Sequence, residues 1–323
     1  MMGRNRYLIL LLAAFVFAGS CKKDETSTTV SSSMTGQPTF SIPVYVNPGD
    51  EFDLKPAAVK TVDAVDYGYF WTINPIQTAR DTVRRVGDPE VKDGTYHLVV
   101  PDTLCTITVS CSAFAKGHYN ATYGKDVTIV SEESLTDNVI TVTDGGIFKD
   151  DRDGVEYLYA GKDGVEWMCV NAEYAEAGVP LEKCPAAASL FGHYYTWEEA
   201  QSACPAGWRL PTVDDWKTVC GGFTGTAGSL MVNARFNDEL LWTYWPEVKI
   251  TNASSLTVLP TGYATVSDGE YAFVGFRTYA AFWTATESDA ERAQYVYLNE
   301  KTPDVMVGVA DKTHFAASVR CIR

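Results

Sequence analysis

CPAGWRLPTVDDW, Cys204 to Trp216, is the stretch that decides how this chain folds. Pro205, Gly207 and Pro211 interrupt the backbone, and Thr212 stands where a helix can begin. Its hydroxyl suits the N-cap, and Asp214 and Asp215 fall in the first turn, where the helix dipole favours negative charge. Trp216, Val219 and Cys220 then repeat at helical spacing, which predicts a buried inner face that includes the Cys220 thiol. Immediately upstream, TWEEAQSAC (Thr196 to Cys204) predicts another short helix. Thr196 followed by Glu199 fits a capping box, and Trp197, Ala200 and Ala203 lie near one face. Trp208, held between Gly207 and Arg209, reads as a plug for the core between these elements.

Other strings surround this stretch in a fixed order. They are Asp150/Arg152/Asp153/Gly154/Tyr157, Trp167/Met168/Asn171, Gly192/Tyr195/Thr196/Trp197, Phe282/Trp283/Thr284 and Ser318 to Ile322. In that order the chain resembles the Fibrobacter succinogenes major paralogous (FISUMP) domain, a C-type-lectin-like module of bacterial surface proteins. Gly164 departs from the pattern by lying one place closer to Trp167. The resemblance covers residues 140–323 and implies an α+β C-type-lectin-like domain there. It also implies a disulfide between Cys204 and Cys321 that pins the first capped helix to the last strand. Closing so long a loop removes about 4–5 kcal/mol of unfolded-state entropy in the chain-entropy model. Cys169 and Cys184, flanking a loop with Gly178 and Pro180, are the next candidates for a bridge. The motifs are scaffold residues, so the resemblance implies a fold more than a function.

The N-terminus sets the expected compartment. Arg4 and Arg6 precede an apolar run from Tyr7 to Ala18, which ends in AGSC at Ala18 to Cys21. That arrangement predicts a signal peptide over residues 1–20, too short to span as a transmembrane helix. A cysteine just after the cut resembles the lipobox of bacterial lipoproteins, so Cys21 is the expected lipidation site, with several acyl chains giving a stable anchor. KKDE, Lys22 to Glu25, resembles the surface-export signal of Bacteroidota lipoproteins, which places the protein on the outer membrane facing the exterior. Residues 21–38, rich in Ser and Thr, read as a lipidated flexible tether. The chain carries a formal net charge of −15. Such acidity repels phosphate backbones and anionic headgroups, so no nucleic-acid partner is expected and the membrane is met through the lipid alone.

Residues 39–131 follow a different grammar. FSIPVYV (40–46), YGYFWTI (67–73), TYHLVVP (95–101), TITVSCSAF (106–114) and KDVTIV (125–130) are separated by turn signals such as Asn47-Pro48-Gly49-Asp50 and Lys92-Asp93-Gly94. Short strands punctuated this way predict an all-β immunoglobulin-like sandwich, with Trp71 packed between its sheets. The segment is similar in pattern to polycystic-kidney-disease-type modules. Cys105 and Cys111 share one predicted strand and would stand about 20 Å apart, too far for a bridge, so both are expected as buried thiols. Ser131 to Asn138 is a polar junction between two domains.

Chemistry-bearing patterns are sparse. His97, His118, His193 and His314 are scattered, and the chain has no H-E-x-x-H, G-x-S-x-G or P-loop string. Glu287/Asp289 and Asp214/Asp215 read as solvated or capping acids. RLPTVDDW resembles a string of the formylglycine-generating enzymes, which bind copper through paired C-terminal cysteines. Only Cys321 lies near the C-terminus here, and the implied disulfide would consume it, so a relative of those oxidases is only the enzymatic alternative. DDRDGVEY, Asp150 to Tyr157, begins like an EF-hand loop but has Gly161 or Lys162 where the twelfth-position Glu must stand. A hairpin turn with Asp153-Gly154 at its corner accounts for it. Neither a metal nor a cofactor is expected.

What remains is the insertion between the Thr212 helix and Phe282, which in C-type-lectin-like domains is the long loop region where ligands bind. Trp242, Tyr244 and Trp245, preceded by Asp238 and Glu239, have the composition of a sugar-stacking or protein-docking surface. Trp245, beside Pro246, is the ring expected to be most exposed. The sequence therefore reads as a non-catalytic surface lipoprotein that presents this domain for adhesion to a glycan or protein ligand. The alternative is a structural envelope or fimbria-associated subunit whose loops bind a neighbour.

Overall fold

The computed structural model describes residues 32–75, 84–86, 94–136 and 144–323, apart from 163, 175, 182, 183 and 244. The signal segment, Cys21, most of the tether and Tyr244 lie outside the described residues. The described chain is mostly β-sheet with a few short helices.

The first module is built on a five-stranded sheet in the order Tyr45–Val46, Ala121–Ile129, Thr106–Ala115, Tyr67–Pro75, Arg84–Val86. Its first pair is parallel and the others antiparallel. A second, two-stranded sheet pairs Glu51–Leu54 with Tyr96–Val99. Trp71 joins the two sheets. Its ring meets Phe40 edge-on and stacks on Tyr96, and its indole N–H donates to the Gly94 carbonyl at 2.8 Å. That bond answers the polar atom of a large buried ring, which otherwise favours an interfacial position. Of the expected 40–46 strand only Tyr45–Val46 pairs, whereas Phe40 and Ile42 still fill the core. Cys105 and Cys111 are buried free thiols, and burial pushes Cys111 up to about 12.

Three three-stranded sheets make the second module. They are Gly145–Lys149/Glu156–Lys162/Val165–Met168, Glu270–Val274/Tyr263–Ser267/Phe315–Ala316, and Tyr279–Glu287/Arg292–Asn299/Met306–Asp311. Helices α1 (Pro185–Phe191), α2 (Trp197–Ala203), α3 (Val213–Cys220) and α4 (Ala227–Leu230) pack on them. The capping box expected at α2 forms, with Thr196 and Glu199 exchanging bonds, and the Thr212 N-cap of α3 proves to be a second one, completed by Asp215. Asp215 also accepts from both terminal nitrogens of Arg209, at 2.8 and 3.0 Å, and these bonds hold its carboxyl down at about 2. One carboxylate thus caps α3 and clamps the preceding RLP segment to it. Helix α1 carries no motif in the sequence beyond a proline at its first turn, where the missing N–H costs nothing.

The C-terminal segment threads the centre of this module. Isolated bridges join Ile322 to Trp167 and Arg209, Ala317 to Tyr195, and Ser318 to Phe282. Cys204 and Cys321 are disulfide-bonded across a separation of 117 residues, with Cα atoms 5.6 Å apart. The second possible bridge is corrected: Cys169 and Cys184 are both buried free thiols. They face different surroundings, Cys169 beside the Trp167 carbonyl and near Arg320, and Cys184 at the start of α1 in the cluster around Phe191.

The modules share a core. Tyr45 of the first makes edge contacts with Phe191, Phe236 and Phe276 of the second, at centroid distances of 5.4–5.5 Å. A small sheet crosses the junction, Leu135–Thr136 pairing with Arg235–Phe236 and that strand with Glu239–Leu240.

Candidate functional site

Most of the ordered strings quoted from the sequence serve the fold. Arg320 is 2% exposed, yet each of its three guanidinium nitrogens finds an acceptor. Nε donates to Asn171 at 2.6 Å, and the terminal nitrogens donate to the carbonyls of Met168, Leu256 and Thr257. Burial pushes its pKa down to about 10, so it stays charged at neutral pH. Asn171 in turn donates to the Phe191 carbonyl and to Ser318. This network ties the segment containing Trp167, Met168 and Asn171 to the terminal SVRC string. Similarly, Trp197 and Trp283 donate to the carbonyls of Thr284 and Tyr195. In the 150–155 hairpin turn, Asp150 is buried against Arg152, which reaches across to the carbonyls of Ser202 and Ala203 at the end of α2. Trp208 is buried among Phe148 and Tyr159, with Arg323 over all three rings.

Residues 148–323 match the family described as the Fibrobacter succinogenes major domain. The chain belongs to that family. No curated protein and no solved structure gives a significant match. The family strings of the Fibrobacter succinogenes major domain coincide with the scaffold just described, which leaves the loop between α3 and the Tyr279–Glu287 strand as the place to look for function.

That loop divides into two halves. The first runs through the hairpin Arg235–Phe236/Glu239–Leu240, turned by Asn237 and Asp238, both at positive φ (49° and 66°). Two such residues make the turn that suits a two-residue hairpin. The hairpin docks on the first module: Asn237 donates to the Ile129 carbonyl, and Glu239 accepts from Thr106 at 2.8 Å while pairing with Arg277 at 3.4 Å. Asp238 is an exposed turn residue whose carbonyl accepts from Arg235. Of the acids proposed for ligand contact, Glu239 is therefore engaged at the junction, while Asp238 stands at an exposed turn. Trp242 is 1% exposed and donates to the Val258 carbonyl at 3.1 Å.

The second half begins past Thr243. Trp245 is 37% exposed, and a turn closes behind it through a bond from the Val248 amide to the Trp245 carbonyl. The chain then runs against α4 so closely that a Cβ on Gly228 would stand 2.1 Å from the Lys249 carbonyl oxygen. Glycine is needed for that approach. Between these pieces lies a cleft of about 450 Å³, walled by Leu240, Trp242, Val248 and Ile250, with Trp245 at its rim and Lys249 and Glu300 as the charged residues of its lining. The loop thus brings Trp242 and Trp245 to one cavity, one as wall and one as lip, and separates them from Asp238 and Glu239.

Two features escaped the sequence reading. Glu300 gave no signal, since it follows a strand as an ordinary acid. The second is a group of half-buried rings, Tyr263, Tyr279, Tyr295, Tyr297 and Phe315, gathered from three strands and the terminal segment. Tyr279 stacks on Tyr297 at 4.9 Å, and Phe315 lies 5.1 Å from Tyr263 and 4.8 Å from Tyr295. Gly308 lets the Tyr295 ring lie flat over the third strand, since a Cβ there would meet the ring at 2.4 Å. Strand alternation, read across 263–315, was the signal that could have found these rings.

The titratable groups are dispersed. His97 is bonded to Asp53, His118 to the Lys116 carbonyl and the Val62 amide, His193 to the Ala177 carbonyl and His314 to Asp311. Asp289 pairs with Arg292, and Glu287 with the buried Lys312. Burial pushes Glu173 up to about 7, with Asp153 adding to the rise. Among the described residues no cluster of His, Cys, Asp and Glu could hold a metal ion.

Proposed function

We propose that the chain is a non-catalytic, lipid-anchored surface protein of the outer membrane whose second module binds a glycan or protein ligand in adhesion. In this reading the first module is an immunoglobulin-like spacer and the second is C-type-lectin-like, with its long loop region as the binding face. The observation that carries it is the cleft beneath Trp245, an exposed aromatic lip over an apolar wall on a disulfide-pinned scaffold. Loops on rigid scaffolds are where recognition residues concentrate, and a tryptophan at the rim of a pocket is a common anchor. The test is a binding screen of the full chain and of Trp245→Ala against glycans and host-matrix proteins. The expected result is a ligand whose binding weakens by about 1–3 kcal/mol in the variant. A ligand bound equally well by both proteins would move recognition away from this cleft. The anchor is tested separately: Cys21→Ser should abolish lipid labelling, and protease added to intact cells should cleave the wild-type protein.

The alternative, a structural envelope or fimbria-associated subunit, has its own support. Among the described residues no strand pairs with the outer edge of Met306–Asp311, and Met306, Val307 and Val309 on it are exposed. Such an edge can accept a strand from a neighbour.

A further inference from the structure

Glu300 follows the Arg292–Asn299 strand, where the chain turns toward Met306–Asp311, and its amide donates to the Thr278 carbonyl at 3.1 Å. Bonds from Val305 to Phe223 and from Ala227 to Pro303 fasten that turn to the loop, so the side chain is held inward and the residue is 4% exposed. Its two carboxylate oxygens are unequal. Oε1 has the Lys301 ammonium at 4.0 Å, on a side chain 67% exposed, a pair that water weakens. Among the described residues no donor lies within hydrogen-bonding distance of the buried Oε2. A buried carboxylate oxygen without a donor is unfavourable, and its charge is compensated best by an opposite charge brought to it.

Resting on the reading of this cleft as the binding site, we infer that it takes the lysine or arginine side chain of a protein partner. The ammonium or guanidinium donates to Glu300 Oε2, while the methylene stem lies along Leu240, Val248 and Ile250. Tryptophan faces attract cations, and long basic side chains lay their stems on apolar surface. A sugar hydroxyl could supply one hydrogen bond but no charge, and the only ion pair Glu300 makes among the described residues is the exposed one with Lys301. The net charge of −15 further favours approach of a basic partner.

The test is calorimetric titration of the purified full chain with Nα-acetyl-lysine amide, its arginine counterpart, and the Nε-acetylated lysine that has the same stem without the charge. The cationic probes should bind at least about tenfold more tightly than the neutral one. Glu300→Gln should remove that preference, whereas Asp268→Asn, an acid in the exposed 267–270 turn, should keep it. Equal binding of charged and neutral probes to the wild type, no binding of any amine, or an unchanged preference in Glu300→Gln overturns the inference. Loss of a glycan or protein ligand in Trp245→Ala but not in Glu300→Gln would overturn it while leaving the cleft as the binding site. Retention of that ligand in both variants would remove the cleft from function altogether.

Discussion

Trp242 and Trp245 lie three residues apart in one loop, with the same ring and the same local composition, and the fold treats them oppositely. The half containing Arg235 to Trp242 is anchored at several points. Its hairpin bonds to Thr106, Ile129 and Arg277, and its tryptophan is buried beneath a donated hydrogen bond. The half from Trp245 to Ile250 is held against α4 by backbone approach, and its tryptophan faces solvent at the lip of a cleft. Aromatic composition marks a loop as important without saying for what. What distinguishes packing from recognition is whether the groups beside each ring are already bonded within the protein.

The comparison can be broken by mutation. Trp242→Ala should cost about 3–5 kcal/mol of stability, as truncating a buried aromatic does, read by chemical denaturation. If it melted like the wild type, the two halves would not differ as described. Cys321→Ser should cost about 2–5 kcal/mol and should loosen both halves together, because the bridge belongs to the scaffold beneath them. Hydrogen exchange confined to one half in that variant would separate the loop from the scaffold. Glu239→Ala leaves Thr106 and Arg277 without their shared partner and should cost about 1–3 kcal/mol. A double-mutant cycle with Thr106→Val should show coupling across the junction, and strict additivity would mean that the Thr106–Glu239 bond contributes nothing there. Trp245→Ala should change stability by less than about 0.5 kcal/mol, as exposed substitutions do, while weakening ligand binding. A large drop in its melting temperature would place this ring in the core and erase the contrast.

The local features were legible because each is decided within a few residues. Thr196 and Glu199 stand three apart and complete the expected capping box, and Thr212 takes the expected N-cap position with Asp215 in the first turn. Trp216, Val219 and Cys220 form a buried stripe because helical periodicity places them on one face, and all three are buried. The family strings led to the Cys204–Cys321 bridge through their order alone. The strand segments of the first module were readable from alternation, although the Glu51–Leu54 and Arg84–Val86 strands were not, being charged and short.

Tertiary structure alone decided the rest. Asp238 and Glu239 read as two acids before an aromatic run, yet the residue that claims Glu239, Thr106, is 133 positions away. Trp242 is buried because Val258 returns to accept its indole proton and the second module's core around Trp167 and Trp216 closes over it. Glu300 is a common acid after a common strand until the turn at 300–305 folds it beneath the loop and leaves one oxygen without a donor. Periodicity and capping are local free energies, so the sequence determines them. Whether a polar atom is answered depends on which distant segments arrive beside it, and only the assembled fold contains that information.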